Sequence, residues 1–140
     1  MTLERLKNLR VIDGRGCWLE VQRDRYPEGS PKWQEISAQL DADRKERDAV
    51  HLWIESIPRD RTANIIILRY VKNLRWDEIA RLIGGISASG VKMDVMRYIR
   101  AAEKQEEEIR QAAFLDLLAG HGVKKENDAG QRERKVNQPV

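Results

Sequence analysis

Residues 57–104 contain three short helical patterns separated by tight breaks, and this arrangement constrains the fold more than any other feature of the sequence. The second pattern is predicted to begin at Trp76 and to end at Gly84 and Gly85, since glycine adopts the left-handed conformation that closes a helix. The third is predicted to begin at Ser87, a residue type that favours the N-cap. Two short helices joined by a glycine-containing turn predict a helix-turn-helix.

A series of residues in this segment follows the order of a known DNA-binding motif: Ile57, Pro58, Leu68, Arg69, Tyr70, Leu74, Trp76, Glu78, Ile79, Ala80, Ile83, Gly84, Ile86, Ser87, Val91, Lys92, Val95 and Arg97. Through these residues the segment resembles region 4 of bacterial sigma factors and the phage regulators that share it. It departs from that pattern at three positions. Arg75 stands where the family usually has serine, Gly90 stands where it has threonine, and Gly85 lengthens the turn by one residue.

The resemblance implies a sequence-specific transcriptional regulator that binds double-stranded DNA and is encoded by a phage or mobile element. It implies that the helix over residues 87–100 enters the major groove, while the helix that begins at Trp76 crosses the DNA backbone. Helical phase directs Val91 and Val95 inward, and Lys92 is the best candidate for a guanine contact. The candidate DNA-binding residues are Arg75, Trp76, Ser87, Ala88, Ser89, Lys92, Met93, Met96, Arg97 and Arg100.

Basic residues are concentrated in the same segment. Residues 59–104 contain ten Lys and Arg against five Asp and Glu, whereas residues 1–58 contain ten against eleven and residues 105–140 contain six against seven. A basic surface that coincides with a DNA-binding motif is suited to neutralise phosphates. A solvated helical surface with no ligand is the alternative explanation of the charge.

The N-terminal region, residues 1–56, is predicted to form a helical hairpin or coiled-coil-like helices. We expect a helix over residues 2–13, a break at Gly14 and Gly16, and a second short helix over residues 17–25. This layout, followed by a long charged helix and the sigma-like unit, is similar to phage late transcription regulators of the ArpU/RinA type.

The long helix is predicted to start after its N-cap, Ser30, and to reach about residue 56. Apolar residues occupy most a and d positions of a heptad pattern, and Asp43 and Arg47 are spaced to pair along one face. The helix can pack against its own chain, or it can form the seam of a homodimer. For the second interpretation, the predicted dimer interface comprises Trp33, Ile36, Leu40, Val50 and Ile54.

The third helix of the motif is predicted to continue as a helical extension over residues 105–120. An apolar stripe from Ile109 to Leu118 is a second candidate for the dimer seam. We expect the extension to end at Gly120 and its neighbours. A disordered tail over residues 121–140 should follow, because this segment is polar and nearly free of large apolar residues.

The helical patterns along the chain predict an all-α fold. No catalytic motif is present in the sequence, so the function is predicted as binding and not as that of an enzyme. Cys17 is the only cysteine, which excludes an internal disulfide and a cysteine-based metal site. His51 and His121 have no neighbouring residues at the spacing of metal ligands. We therefore expect no metal, no cofactor and no catalytic residues. No apolar run approaches the roughly 20 residues of a membrane span, which favours a cytoplasmic location without a membrane partner.

Two other functions are compatible with the sequence. The protein could be an interaction module that contacts RNA polymerase or another regulator, because region 4 domains also contact polymerase. It could also be a phage packaging subunit that binds DNA as an oligomer. Salt-dependent binding to one preferred DNA sequence distinguishes the regulator from both alternatives.

Overall fold

The computed structural model describes the backbone of residues 1–136 and the side chains of residues 1–120, and all its regular elements in that range are helices. The predicted all-α class is therefore confirmed. The chain forms two compact units, Met1–Ala102 and Glu103–Val140. The elements are α1 (Leu3–Arg23), α2 (Pro31–Glu55), α3 (Asp60–Ile66), a π-helical segment (Ile67–Val71), α4 (Trp76–Ile83) and α5 (Ala88–Val136).

α1 is one continuous helix of 21 residues, so the prediction of two helices separated by Gly14 and Gly16 is wrong. Neither glycine has a positive φ, and both keep the right-handed helical conformation. A glycine inside a helix costs about 1 kcal/mol relative to alanine, but it does not by itself end the helix. Ile12 and Leu19 are buried on either side of the pair. The apolar face of α1 therefore continues across the glycines, and its packing holds the helix together.

α2 starts where the sequence predicted. The Ser30 Oγ accepts a hydrogen bond from the Trp33 N–H at 3.4 Å, and Pro31 is the first helical residue. This cap satisfies one of the backbone donors that a helix N-terminus leaves without a partner. The turn before it, which contains Gly29 at φ 82, reverses the chain so that α2 packs against α1. The two helices form the predicted N-terminal hairpin.

An ion pair between α1 and α2 replaces the pair predicted within α2. The Asp43 carboxylate accepts hydrogen bonds from Arg15 Nε at 2.7 Å, from Arg15 Nη2 at 2.6 Å and from Gln39 Nε2 at 2.8 Å. These bonds, led by those from Arg15, hold the pKa of Asp43 below its usual range. Asp43 is buried against α1, so it pairs across the hairpin, and the prediction that it pairs with Arg47 is wrong.

The residues of α2 that were predicted as a dimer interface pack against other parts of the same chain. Ile36, Val50 and Ile54 are buried within the single chain, and Trp33 and Leu40 are half-buried. The intramolecular interpretation therefore describes these five side chains. Because the chain itself covers most of this apolar face, the heptad no longer requires a second copy of the protein. The homodimer remains a prediction without this support.

One apolar core joins the N-terminal hairpin to the elements that follow it. The boundary predicted at residue 57 therefore does not separate two cores. The rings of Trp53 and Tyr98, 6.2 Å apart between centroids, add a contact between α2 and α5. Burying one aliphatic side chain of this core contributes about 1.5–3 kcal/mol to the free energy of unfolding. The largest fully buried members of the core are Leu6, Leu9, Val50, Ile66, Ile79, Val91, Val95 and Ile99.

α5 continues past Gly120, where its end was predicted, to Val136. Gly120 does not have the positive φ of a glycine cap, and a glycine with helical backbone angles does not close a helix. The predicted disordered tail, residues 121–140, lies outside the residues whose side chains are described. Residues 137–140 lie outside the described backbone as well.

Candidate nucleic-acid interface

The turn between α4 and α5 depends on two consecutive glycines. Gly84 has φ 74 and Gly85 has φ 72, and L-amino acids with a side chain rarely adopt these values. A Cβ on either residue would have no atom within 4 Å, so backbone conformation rather than space explains the glycines. The Gly84 N–H donates to the Ala80 carbonyl at 2.9 Å, which closes α4. α4 therefore begins and ends where the sequence predicted.

The first turn of α5 is closely packed around Gly90. Ser87 caps the helix, since its Oγ accepts a hydrogen bond from the Gly90 N–H at 3.1 Å. A Cβ at Gly90 would lie 2.9 Å from Ile86 Cγ1 and 3.2 Å from the Ser87 Oγ. Glycine here leaves room for the half-buried Ile86 and for the cap. The sequence alone suggested only a weaker helix start.

α5 presents an outward face opposite its buried residues Val91, Val95 and Ile99. Met93 is 52% exposed, although methionine is commonly buried. We use the name outward face for the predicted contact positions of this helix and its cap. Of these, Ser87, Ser89, Lys92, Met93, Arg97 and Arg100 are exposed, and Ala88 and Met96 are half-buried.

Arg75 is exposed, as predicted, but it has intramolecular partners. Its Nε lies 3.0 Å from Glu78 Oε1, and its Nη2 lies 3.5 Å from Asp77 Oδ2. Asp77 also pairs with Arg81 at 3.0 Å. Exposed pairs of this kind are weak, typically below about 1 kcal/mol. They leave Arg75 able to exchange a carboxylate for a phosphate, at the cost of separating it from Glu78.

Trp76 packs against two neighbouring side chains. It is half-buried, and the Arg69 guanidinium carbon lies 4.8 Å from its ring centroid. The Tyr70 ring meets it edge-on at a centroid distance of 6.4 Å. Arg69 also donates from Nη1 to the Leu74 carbonyl at 3.0 Å. The Trp76 indole therefore holds the Arg69 guanidinium in place, and the DNA contact of Trp76 stays a prediction.

A basic groove of about 340 Å³ lies beside α5 in the unit Met1–Ala102. We call it the Lys7 groove. Its cationic lining residues are Lys7 and Arg10 from α1, Arg69 from the π-helical segment and Lys92 from α5, and none of its lining residues among the described side chains is acidic. The remaining lining residues are Leu6, Tyr70, Asn73, Trp76 and Met96.

Sequence reasoning missed Lys7 and Arg10. They precede the helix-turn-helix pattern by some 70 residues, and no spacing rule connects them to it. They reach the groove because Leu6 and Leu9 anchor α1 in the shared core. The alternation of buried leucines with exposed cations in the first turns of α1 was the one available signal, but it is common to amphipathic helices.

A second groove, of about 400 Å³, lies along a different side of α5. We call it the Arg59 groove. Three arginines line it, with one acidic residue, Asp94. Since α-helices have 3.6 residues per turn, Asp94 and Tyr98 lie on the opposite side of α5 from Lys92 and Met96. The outward face is therefore flanked on both sides. The lining residues are Arg59, Arg61, Thr62, Ile65, Asp94, Val95, Arg97 and Tyr98.

In the described part of the chain, no group of three His, Cys, Asp or Glu side chains is placed to hold a metal ion. No described helix is long and apolar enough to cross a membrane. The exposed cations around α5 favour anionic ligands.

Comparison with known proteins adds no relative: no family model matches the chain, and no curated protein or solved structure matches it. The class is therefore defined by the fold and the site alone. The protein is an all-α chain in which a helical hairpin and a short helix–turn–helix segment share one core. Basic grooves flank the last helix of that segment.

Proposed function

We propose that the protein is a transcriptional regulator that binds a specific sequence of double-stranded DNA, with the outward face of α5 in the major groove. The observation that carries the proposal is the position of basic residues on both sides of that face. The major groove is about 12 Å wide and admits one α-helix, and a phosphate backbone borders it on each side. A helix that enters it benefits from cations on both of its flanks.

The proposed roles follow from exposure and from position along α5. Base edges are contacted mainly by the N-terminal part of a recognition helix, which places Ser89, Lys92 and Met93 near the bases. Lys92 can donate to the acceptor atoms of guanine, and the Met93 side chain can pack against a thymine methyl. Arg97 and Arg100 lie further along the helix and contact phosphates. The resemblance to sigma region 4 favours the same docking and a phage or mobile-element regulator.

Selection of bound duplexes from random DNA tests this function. We expect one enriched sequence, bound with an affinity that falls steeply as salt rises. Lys92→Ala should weaken binding by about 1–3 kcal/mol and relax the preference at one base position. Lys45→Ala is the matched control, because Lys45 is an exposed lysine of α2 that lines neither groove. An unselective pool, or a Lys92→Ala protein with unchanged affinity and preference, would contradict the proposal.

A second candidate function is favoured by the unit Glu103–Val140. The large apolar side chains that it exposes are Ile109, Phe114, Leu115, Leu117 and Leu118. Such a row is typical of a protein-interaction surface, and it suits RNA polymerase, another regulator or a second copy in a homodimer. Retention by purified polymerase without any DNA binding would favour an interaction module. Ring-sized assemblies in sedimentation would favour the packaging alternative.

A further inference from the structure

The four cations in the first part of α1, up to Arg15, fall into two groups with different surroundings. Arg5 pairs with Glu46 of α2 at 2.7 Å, and Arg15 pairs with Asp43 at 2.6 Å. Lys7 and Arg10 face the Lys7 groove instead, and no carboxylate among the described side chains pairs with them. One set of cations therefore holds the hairpin together, and the other is left available to a ligand.

The Lys7 groove gathers cations from three elements that are distant in sequence. Lys7 and Arg10 come from α1, Arg69 from the π-helical segment and Lys92 from α5. Like charges that share a groove repel one another, and their potential attracts an anion. No acidic residue in the described part of the chain lines the groove, so an anionic ligand would meet no repelling carboxylate there.

Arg69 gives the groove a preorganised donor. Its guanidinium is held by the hydrogen bond to the Leu74 carbonyl and by the Trp76 ring. Neighbouring Asn73 has φ 59, a left-handed conformation that asparagine tolerates better than most residues. Unusual backbone conformations and π-helical segments are both enriched at functional sites. A fixed guanidinium loses little entropy when it binds a phosphate, and its planar fork suits phosphate oxygens.

From these observations we infer that the Lys7 groove binds the phosphate backbone of DNA, so that α1 is part of the DNA-binding surface. The inference rests on the proposed function. Lys92 belongs both to this groove and to the outward face, so a phosphate in the groove lies next to the bases that α5 contacts. A phosphodiester supplies the single negative charge and the acceptor oxygens that this lining requires, and it carries no sequence information.

The test compares the full-length protein with the variant Lys7→Gln/Arg10→Gln on the selected duplex. Each lost phosphate contact should reduce the slope of log affinity against log salt by roughly 0.9, so the double variant should lose about two. Base preference in the selection should be unchanged. Interference by phosphate ethylation should disappear at the phosphates on one side of the site. The control, Arg25→Gln/Lys45→Gln, removes two exposed cations that do not line the groove, and it should keep the original slope.

Three outcomes would overturn the inference in different ways. An unchanged slope and ethylation pattern in Lys7→Gln/Arg10→Gln, with sequence-specific binding intact, would remove α1 from the interface but leave the proposed function standing. Saturable binding of a deoxynucleoside monophosphate that the double variant abolishes, while duplex binding persists, would identify a small-ligand site. Absence of duplex binding by the unsubstituted protein would contradict both the inference and the proposed function.

Discussion

Gly90 shows how the reason for a single residue can be visible only in three dimensions. Its missing side chain leaves space that Ile86 and the Ser87 cap occupy. Helix propensity alone ranks glycine as a weak choice for the first turn, by up to about 1 kcal/mol. A residue with a Cβ would gain helix propensity at this position. Its Cβ would be too close to Ile86 and Ser87, and well-packed interiors tolerate added atoms poorly.

We expect Gly90→Thr to destabilise the protein by about 1–3 kcal/mol, because the added side chain would overpack against Ile86 and Ser87. Urea unfolding followed by circular dichroism measures the change. The cost should shrink when Ile86→Ala is combined with it, since Ile86 supplies two of the three atoms that a Cβ would meet. An equal cost in both backgrounds would show that the contact with Ile86 is not the cause.

The fold of the α4–α5 segment was largely predictable from its own residues. The start of α4 at Trp76, the glycine closure and the Ser87 cap follow from local chemistry that the structure reproduces. The break predicted in α1 was wrong for a related reason. A glycine permits a break in a helix but does not impose one. α1 stays continuous because Ile12 and Leu19 are buried on either side of the two glycines.

Contacts between elements were harder to predict than the elements. Heptad spacing correctly identified the apolar face of α2, but periodicity does not say which helix covers it. The same limit explains the wrong partner for Asp43, because Arg15 lies on another helix and shares no spacing rule with it. It also explains why Lys7 and Arg10, the two cations that α1 contributes to the Lys7 groove, were missed. Which helices pack against each other is determined by tertiary contacts, and no spacing rule predicts these contacts from a single sequence.

The Asp43–Arg15 pair fixes α1 against α2, and we expect Asp43→Asn to lower the free energy of unfolding by about 2 kcal/mol at pH 7. The pKa of Asp43 is lower in the folded protein than its usual value of 3.8. The pair therefore contributes fully above about pH 4, and this contribution is lost as pH falls through the lowered pKa.

The difference in unfolding free energy between the protein and Asp43→Asn should accordingly narrow below pH 3.8. Asp41→Asn is the matched control, since the Asp41–Arg44 pair is exposed and worth less than about 1 kcal/mol. Two results would show that the interhelical pair does not stabilise the hairpin. One is an equal loss of unfolding free energy in the two variants at pH 7. The other is a difference between the protein and Asp43→Asn that stays the same in acid.

At the scale of the whole molecule, the shared core fixes the N-terminal hairpin against α5. Leu6 and Leu9 pack in the same cluster as Val91 and Val95, so the position of Lys7 relative to Lys92 is set by one apolar interior. In the proposed function, DNA affinity therefore depends on α1 as well as on α5. The unit Glu103–Val140 carries the exposed apolar row and is the competing candidate for a binding surface.

Amide chemical shifts of the labelled full-length protein, recorded as a selected DNA duplex is added, test the central claim most directly. The account predicts that the largest changes occur at Ser89, Lys92 and Met93 of the outward face and at Lys7 and Arg10 of α1. It predicts small changes at Lys45 and across residues 109–118. Changes confined to residues 109–118, or no changes at saturating duplex, would contradict the claim that the flanked face of α5 binds DNA.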